Sequence, residues 1–383
     1  MRSIPDDSLD RALELHRRAI VIDTHVDTTQ RLVEPDFDIA SRNALGHLDI
    51  PRLREGGVGG VFFAVYAGGP IGPGEGAPIV REQMTRLRHM CEIHSDALAP
   101  CRTADEVREA KRSGRIAVLM AIEGGYLIDD SLERLSEYAD AGATYLTLTH
   151  SFHTSWCDSA GVHEDIAPRH HGLTEFGRDV VLEMNRLGMM VDVSHVSDEA
   201  FWHVLETSIA PVVATHSSCR AVSPHRRNLT DEMMRAIARS GGVVQINFSA
   251  AFIDPAYPKV DPVARKRWQK EGRLHGVPFS DHVTPLSVLA DHFDHALRVV
   301  GPMHVGIGSD FDGVPQLPVS MEDCSRLPSL TAELLRRGWV EDDLVPVLGG
   351  NVLRVMEACE EVACRMRSGE AIVPVVGRRN RRA

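Results

Sequence analysis

None of the seven cysteines stands in a C-x-x-C pair, and their number is odd. That argues against a disulfide framework and against a thiolate zinc site. The 383 residues contain no apolar run of 18, so no membrane span is expected. There is no G-x-G-x-x-G and no Walker sequence, which removes the usual signals of nucleotide binding. Positive charge is in deficit: 42 Lys and Arg against 54 Asp and Glu leave a net charge of −12. Nucleic-acid binding needs a basic face to meet phosphates, so that class is opposed as well. The one basic cluster, Arg378, Arg379, Arg381 and Arg382, reads as a solvated tail over 377–383. The N-terminal stretch MRSIPDDSLDRALELH lacks the basic flank and apolar core of a signal peptide. Taken as the native start, it leads to the expectation of a cytoplasmic protein.

What is present is an ordinary globular composition, 43% hydrophobic and 25% charged. Apolar strand-like runs alternate with amphipathic helical patterns. The runs are Ala19–Asp27, Gly56–Ala67, Arg115–Glu123, Ala143–His150, Met189–His195, Ala210–His216, Gly242–Phe248 and His304–Asp310. Most are continuous in Val, Ile and Leu rather than alternating, as strands buried on both faces are. Helical patterns fall at Glu175–Leu187, Ser197–Thr207, Thr230–Arg239 and Leu286–Val300, and at Ser329–Arg337 and Glu341–Glu361 after the last strand. Thr174, Ser197 and Thr230 read as N-caps, each with an acidic residue following in the first turn. The expected fold is α/β, a (β/α)8 TIM-like barrel in a single domain over 1–383, with its core at about 19–360. An open doubly wound sheet is the second choice. Two long segments interrupt the alternation, Ser155–His171 and Phe252–Asp281, and are read as loops shaping a pocket.

Metal-capable residues stand at the C-terminal ends of six of these runs: His25 with Asp27, then Glu123, His150, His195, His216 and Asp310. In a (β/α)8 barrel those ends meet on the one face where active sites are built. His25-x-Asp27 has the spacing that puts two side chains on one side of a strand, although H-x-D alone occurs often by chance. Glu123 directly follows the buried run AVLMAI, where a bare carboxylate is costly unless it meets a cation, and its two oxygens could bridge two metals. His195 in VDVSH and His216 in VVATH repeat one pattern: an apolar strand, a small hydroxyl residue, then His. A lone strand-end His is more often a satisfied core residue; two on consecutive strands favour ligands. The sum is one metal among His25, Asp27 and Glu123 and another among Glu123, His195 and His216. A donor set of His, Asp and Glu without thiolate suits Zn²⁺, with Mn²⁺, Co²⁺ or Fe²⁺ also compatible. The other histidines, such as His89, His94, His203, His292 and His295, are read as surface or packing residues.

These residues carry a family resemblance. The segments IDTHVD (22–27), AIEGG (121–125), YLTLTH (145–150), VDVSH (191–195), THSSCRAVSPHRRN (215–228) and VGIGSDFDG (305–313) occur in one linked order. ELLRRGW (333–339) and GGNVLRVMEA (349–358) extend the match. The sequence resembles the membrane (renal) dipeptidase family, peptidase family M19, within the amidohydrolase superfamily. The resemblance implies a zinc-dependent dipeptidase with a TIM-like barrel. Its cofactor would be two Zn²⁺, bridged by Glu123 and a hydroxide, with His25, Asp27, Glu123, His195 and His216 as ligands. It further implies that His150 contacts the scissile carbonyl of the bound substrate and that Arg227 binds the substrate's C-terminal carboxylate. Asp310 would transfer protons. Dipeptides would be the substrates, including L-Xaa-D-Xaa, and the resemblance points to a homodimer. Animal members carry a signal peptide and a lipid anchor, and neither signal is expected here. Cleavage of N-acyl D-amino acids, lactams or lactones at the same site is the alternative chemistry. A non-catalytic metal-binding scaffold would be expected to lack a ligand or Asp310, and all are present.

Overall fold

The structure, a computed structural model, describes residues 7–34, 37–69, 71–161, 166–258 and 280–370. The basic tail expected at 377–383 lies outside the described residues, as does 259–279 of the second long loop. In chain order the strands are β1 Val21–Val26, β2 Val58–Tyr66, β3 Leu98–Cys101, β4 Ile116–Glu123 and β5 Ala143–Thr147. They continue with β6 Met190–Asp192, β7 Val212–Ala214, β8 Val243–Ile246 and β9 Val305–Ile307. All pair in parallel in the order β2-β1-β9-β8-β7-β6-β5-β4, and β2 then pairs with β4, from Gly60–Ala117 to Tyr66–Glu123. That last ladder closes the ring, so the fold is the expected eight-stranded (β/α)8 barrel and not the open sheet. Every residue of β2 and β4 is buried, which is why these runs are apolar without alternation.

The extra strand β3 is not legible in the sequence: its four residues, LAPC, contain a proline and show no periodicity. It pairs with Ile116–Leu119 of β4, on the edge that β5 occupies further up at Met120–Glu123. A second difference is at the strand ends. His150, His195, His216 and Asp310 are not on strands but just beyond β5, β6, β7 and β9, and Asp27 follows β1. His195 and Asp310 have φ of 70° and 67°, a left-handed turn that cannot continue a ladder. Asp27 has φ −95° and ψ 13° and opens a short 3-10 turn, so the shared strand face expected for His25 and Asp27 does not exist.

The helices Glu175–Leu187 and Leu286–Val300 form as expected. Thr174, Ser197 and Thr230 cap their helices by accepting the backbone N–H of Gly177, Ala200 and Met233. The expected Glu341–Glu361 helix is broken into Glu341–Val345, a wide turn Pro346–Gly350, and Asn351–Arg367. The break has a packing cause. Gly349 sits against the backbone of Ile20 so closely that a side chain there would overlap the Ile20 carbonyl. Residues of the last helix, Val352, Leu353 and Met356, pack with Ile22, Phe62, Leu119 and Tyr145, whereas Val118, Met120 and Ile122 of β4 pack in the other core layer, with residues of the helices around the barrel. On β4 the lumenal row is therefore Ala117, Leu119, Ala121, and the period of two ends it in Glu123 at the mouth.

Candidate active site

At the mouth, Glu123 is the centre. Its Oε2 lies 3.6 Å from Nε2 of His25, and its Oε1 lies 3.1 Å from Nε2 of His195 and 3.4 Å from Nε2 of His216. The two Nε2 atoms of His195 and His216 are 2.9 Å apart. Asp27 Oδ2 is 4.0 Å from Nε2 of His25. All five side chains are nearly inaccessible, so their facing polar atoms meet out of reach of bulk water. Donor atoms that surround one ion at 2.0–2.1 Å stand about 3.3 Å from each other in a tetrahedron. The spacings around each oxygen of Glu123 therefore fit a cation, and Nε2 of His25 has no hydrogen-bond partner among the described residues.

The ring tautomers fit as well. Tyr145 donates its hydroxyl proton to the Thr24 carbonyl at 3.0 Å and stands 2.8 Å from Nδ1 of His25. It meets that nitrogen as an acceptor, so Nδ1 holds the proton and Nε2 presents a lone pair toward Glu123. The electrostatics of the site call for positive charge at this ring, from a proton or from a cation at Nε2. Burial disfavours charge on His25, yet the attraction of Glu123, then of Asp27 and Asp310, outweighs it and pushes the imidazole up to about 10. The surrounding carboxylates thus demand positive charge at that point, which a divalent cation can supply. Burial likewise raises Glu123, but His25, His150, His195 and His216 together draw it well below the usual carboxylate range. His150, His195 and His216 are all held below the ordinary imidazole range, chiefly by burial, and so are neutral.

His150 comes in from the loop after β5, its ring 4.7 Å from that of His195 and 5.5 Å from that of Tyr66. Its Nδ1 has no hydrogen-bond partner among the described residues. Asp310 reaches the same mouth because the first and last strands are cross-tied. The Asp310 N–H donates to the His25 carbonyl at 3.0 Å, and the Asp27 N–H to the Phe311 carbonyl at 2.8 Å. A ligand atom of Asp310 lies within 4.8 Å of those of His25 and Asp27. Asp312, its neighbour in SDFDG, is turned away: it accepts the Thr28 hydroxyl at 2.6 Å and the His47 N–H at 2.8 Å. Arg227 lies 3% exposed beside the histidines. Its Nη2 donates to the His216 carbonyl at 3.0 Å and its Nη1 to the Ser217 hydroxyl at 3.2 Å, while Nε has no partner among the described residues. Burial lowers this guanidinium to about 10, so it remains charged at neutral pH and offers unspent donors to an anion.

The structure brings all the sequence-selected residues together. It adds some that strand-end reading for metal-capable side chains passes over. Asn247 follows β8 and donates to Asp310; it lies one residue before the end of Gly242–Phe248, the one run in the second half of the barrel that closes without a His or carboxylate, and an amide is not an obvious ligand. Asp192, visible in VDVSH but overshadowed by its histidine, lies wholly buried beneath the site.

Comparison with known proteins places this geometry. The family model described as membrane dipeptidase (peptidase family M19) matches residues 9–370. A dipeptidase, verJ, of Clonostachys rogersoniana is 36% identical over 96% of this chain and 92% of its own length. A solved metallopeptidase of Rhodobacter sphaeroides, liganded with a phosphinate mimic of the dipeptide L-Ala-D-Ala, is 30% identical with a TM-score of 0.77, over 89% of this chain and 99% of its own. A solved dipeptidase AC, described as a metallopeptidase of family M19, shows the same identity and TM-score over 89% and 98%.

Proposed function

The chain belongs to the membrane dipeptidase family, peptidase family M19, and is a metal-dependent dipeptidase; on that premise we propose that it hydrolyses dipeptides, L-Xaa-D-Xaa among them, at a binuclear zinc site. His25, Asp27 and Glu123 would hold one ion, and Glu123, His195 and His216 the other. The observation that carries this reading is the division of the Glu123 carboxylate, with one oxygen toward His25 and the other toward His195 and His216. A donor set of imidazoles and carboxylates suits zinc, and the relative liganded with the L-Ala-D-Ala mimic supports the substrate class.

Bound there, a pair of divalent cations would acidify water and polarise the scissile carbonyl. The chain's own groups do the rest. Arg227 takes the substrate's C-terminal carboxylate with its unspent N–H donors and fixes the register of the peptide. His150, neutral through burial, donates a hydrogen bond to the carbonyl oxygen as negative charge develops on it. Asp310 accepts the proton of the attacking water and delivers it to the leaving amine, so that the C–N bond breaks with a neutral amine as product. The buried walls exclude bulk water and strengthen each of these interactions.

The test is hydrolysis of an L-Xaa-D-Xaa and L-Xaa-L-Xaa dipeptide library by zinc-loaded protein, with a chelator-treated control and metal counting by mass spectrometry. Metal-dependent release of amino acids, with two zinc ions per chain, is expected. Two ions without dipeptide turnover would withdraw the substrate claim and turn attention to N-acyl D-amino acids and lactams. A single ion would withdraw the binuclear claim.

A further inference from the structure

Both VDVSH and VVATH place a hydroxyl residue directly before a histidine, and the fold uses the two hydroxyls differently. Thr215 donates its hydroxyl proton to Asp192 Oδ2 at 2.6 Å, and the Thr215 hydroxyl oxygen lies 2.9 Å from Nδ1 of His216. The hydroxyl has only one proton, already spent on the carboxylate, so it meets the ring as an acceptor and Nδ1 must be the protonated nitrogen. Asp192 itself is held fast. Its Oδ1 takes the backbone N–H of Ser194 and of Thr215, each at 2.9 Å, and its Oδ2 also takes the Thr147 hydroxyl at 2.6 Å. These partners can only donate here, or donate in this arrangement, so the carboxylate accepts at both oxygens.

Ser194 has the equivalent place in sequence and does something else. Its hydroxyl oxygen accepts the backbone N–H of His216 at 3.1 Å, and Nδ1 of His195 has no hydrogen-bond partner among the described residues. His25 does reach a hydroxyl through Nδ1, but Tyr145 passes its own proton to a neutral carbonyl rather than to a carboxylate. Among these histidines, only His216 is joined to a buried anion through a hydrogen-bonded relay.

We propose that Asp192 and Thr215 are positioning residues. They fix His216 as the Nδ1–H tautomer, aim its Nε2 lone pair at the space beside Glu123 Oε1, and make it a stronger donor than His195 toward a shared cation. A histidine that ligates a metal commonly hands its other N–H to a carboxylate, carbonyl or water, and loss of that partner weakens metal binding. Here a threonine hydroxyl is interposed between carboxylate and ring, which lets one buried acid on β6 act on a ligand beyond β7. The inference rests on the reading of His216 as a zinc ligand.

The experiment examines the ring and the metal separately. In metal-free protein labelled with ¹⁵N-histidine, His216, assigned by the loss of its signals in His216→Ala, is expected as the Nδ1–H tautomer. Finding the Nε2–H tautomer would overturn the proposal, and if His216→Ala fails to fold, His216→Gln supplies the same assignment. Zinc affinity is then measured by competition with a chromophoric chelator. Thr215→Val preserves shape and removes the hydroxyl, and is expected to weaken one zinc equivalent by about 10–100-fold. Thr215→Ser restores the hydroxyl and is expected to bind as the wild type does. Wild-type affinity for both equivalents in Thr215→Val would overturn the relay. His216→Ala separates the two readings. Unchanged zinc binding in that variant removes His216 as a ligand, whereas lost binding there beside an unaffected Thr215→Val keeps the ligand and removes only the relay.

Discussion

Asn247 Nδ2 donates to Asp310 Oδ2 at 2.9 Å, while its own Oδ1 accepts the Ser249 N–H at 2.6 Å, so the amide is pinned at both ends. One oxygen of Asp310 is thereby occupied, and the other, Oδ1, is left on the side of Asp27. A proton accepted from water would settle on Oδ1, the oxygen that Asn247 does not bind. Asp310→Asn should retain zinc yet lose about 10²–10⁴-fold in kcat, the range typical of a general base. Asn247→Ala should also retain zinc and near-normal KM, with kcat down by up to roughly 100-fold as the carboxylate loses its orientation. Steady-state kinetics with metal analysis check both. Full turnover in Asp310→Asn would remove its proton-transfer role.

Gly313 tests how tightly the mouth is drawn together. A Cβ at this position would overlap Asp27 Oδ2 and Asp310 Oδ1. Gly313→Ala should therefore displace both carboxylates by a fraction of an ångström or more, lowering zinc occupancy and reducing kcat/KM by about 100-fold. The rest of the barrel is untouched, so the far-UV circular dichroism spectrum should stay as it is. Normal zinc content with normal kinetics would show that the two carboxylates do not need this approach.

Arg227 is assigned to substrate rather than chemistry, and kinetics can separate the two. Arg227→Met should raise KM for substrates with a free C-terminal carboxylate, with a smaller effect on kcat. A dipeptide amide, which has no carboxylate to bind, should be handled equally by the variant and the wild type. An unchanged KM for the free dipeptide would take Arg227 out of substrate binding.

Stability should fall in acid for a reason outside the active site. His16 joins the N-terminal helix Ser8–Arg18 to the body of the protein: Nδ1 donates to the Gly56 carbonyl at 2.7 Å and Nε2 lies 2.8 Å from the Thr331 hydroxyl. Burial, only partly offset by the Gly56 bond, lowers its pKa from 6.5 to about 4. His292 is lowered to about 4 likewise, by burial, with Nδ1 accepting the Cys219 N–H and Nε2 donating to the Ile253 carbonyl. Both rings are neutral when folded and take up protons more readily when unfolded. The unfolded chain therefore binds more protons between pH 4 and 6.5. The stability tied to neutral rings is complete above 6.5 and is lost as the pH falls through that window, roughly 3 kcal/mol for each histidine at the limit. Urea unfolding in excess chelator, at a series of pH values, should show this slope, and His16→Gln should make it shallower. An identical slope in His16→Gln would mean that this ring does not contribute.

Much of this is legible in the sequence alone. The continuous apolar runs mark strands buried on both faces, because only a barrel or a doubly covered sheet removes both sides of a strand from water. The polar residues that close those runs mark the functional face, because buried strands rarely end in imidazole or carboxylate without a partner to satisfy them. β3 was hidden because four residues with a proline have no period to detect. The break at Gly349 was hidden because it answers to Ile20, far away in the chain.

The sequence by itself determined the strand and helix alternation, the set of metal-capable residues and the family. Each is a local property, carried by hydropathy period or by residues adjacent in a motif. The tertiary structure decided the rest: that Glu123 offers different oxygens to His25 and to the His195–His216 pair, that Asp310 and not Asp312 faces the site, and that Asn247 stands behind Asp310 and Asp192 behind Thr215 and His216. Those relationships join strands that meet only when the ring closes, and hydrogen bonding depends on distances and angles that no linear spacing encodes.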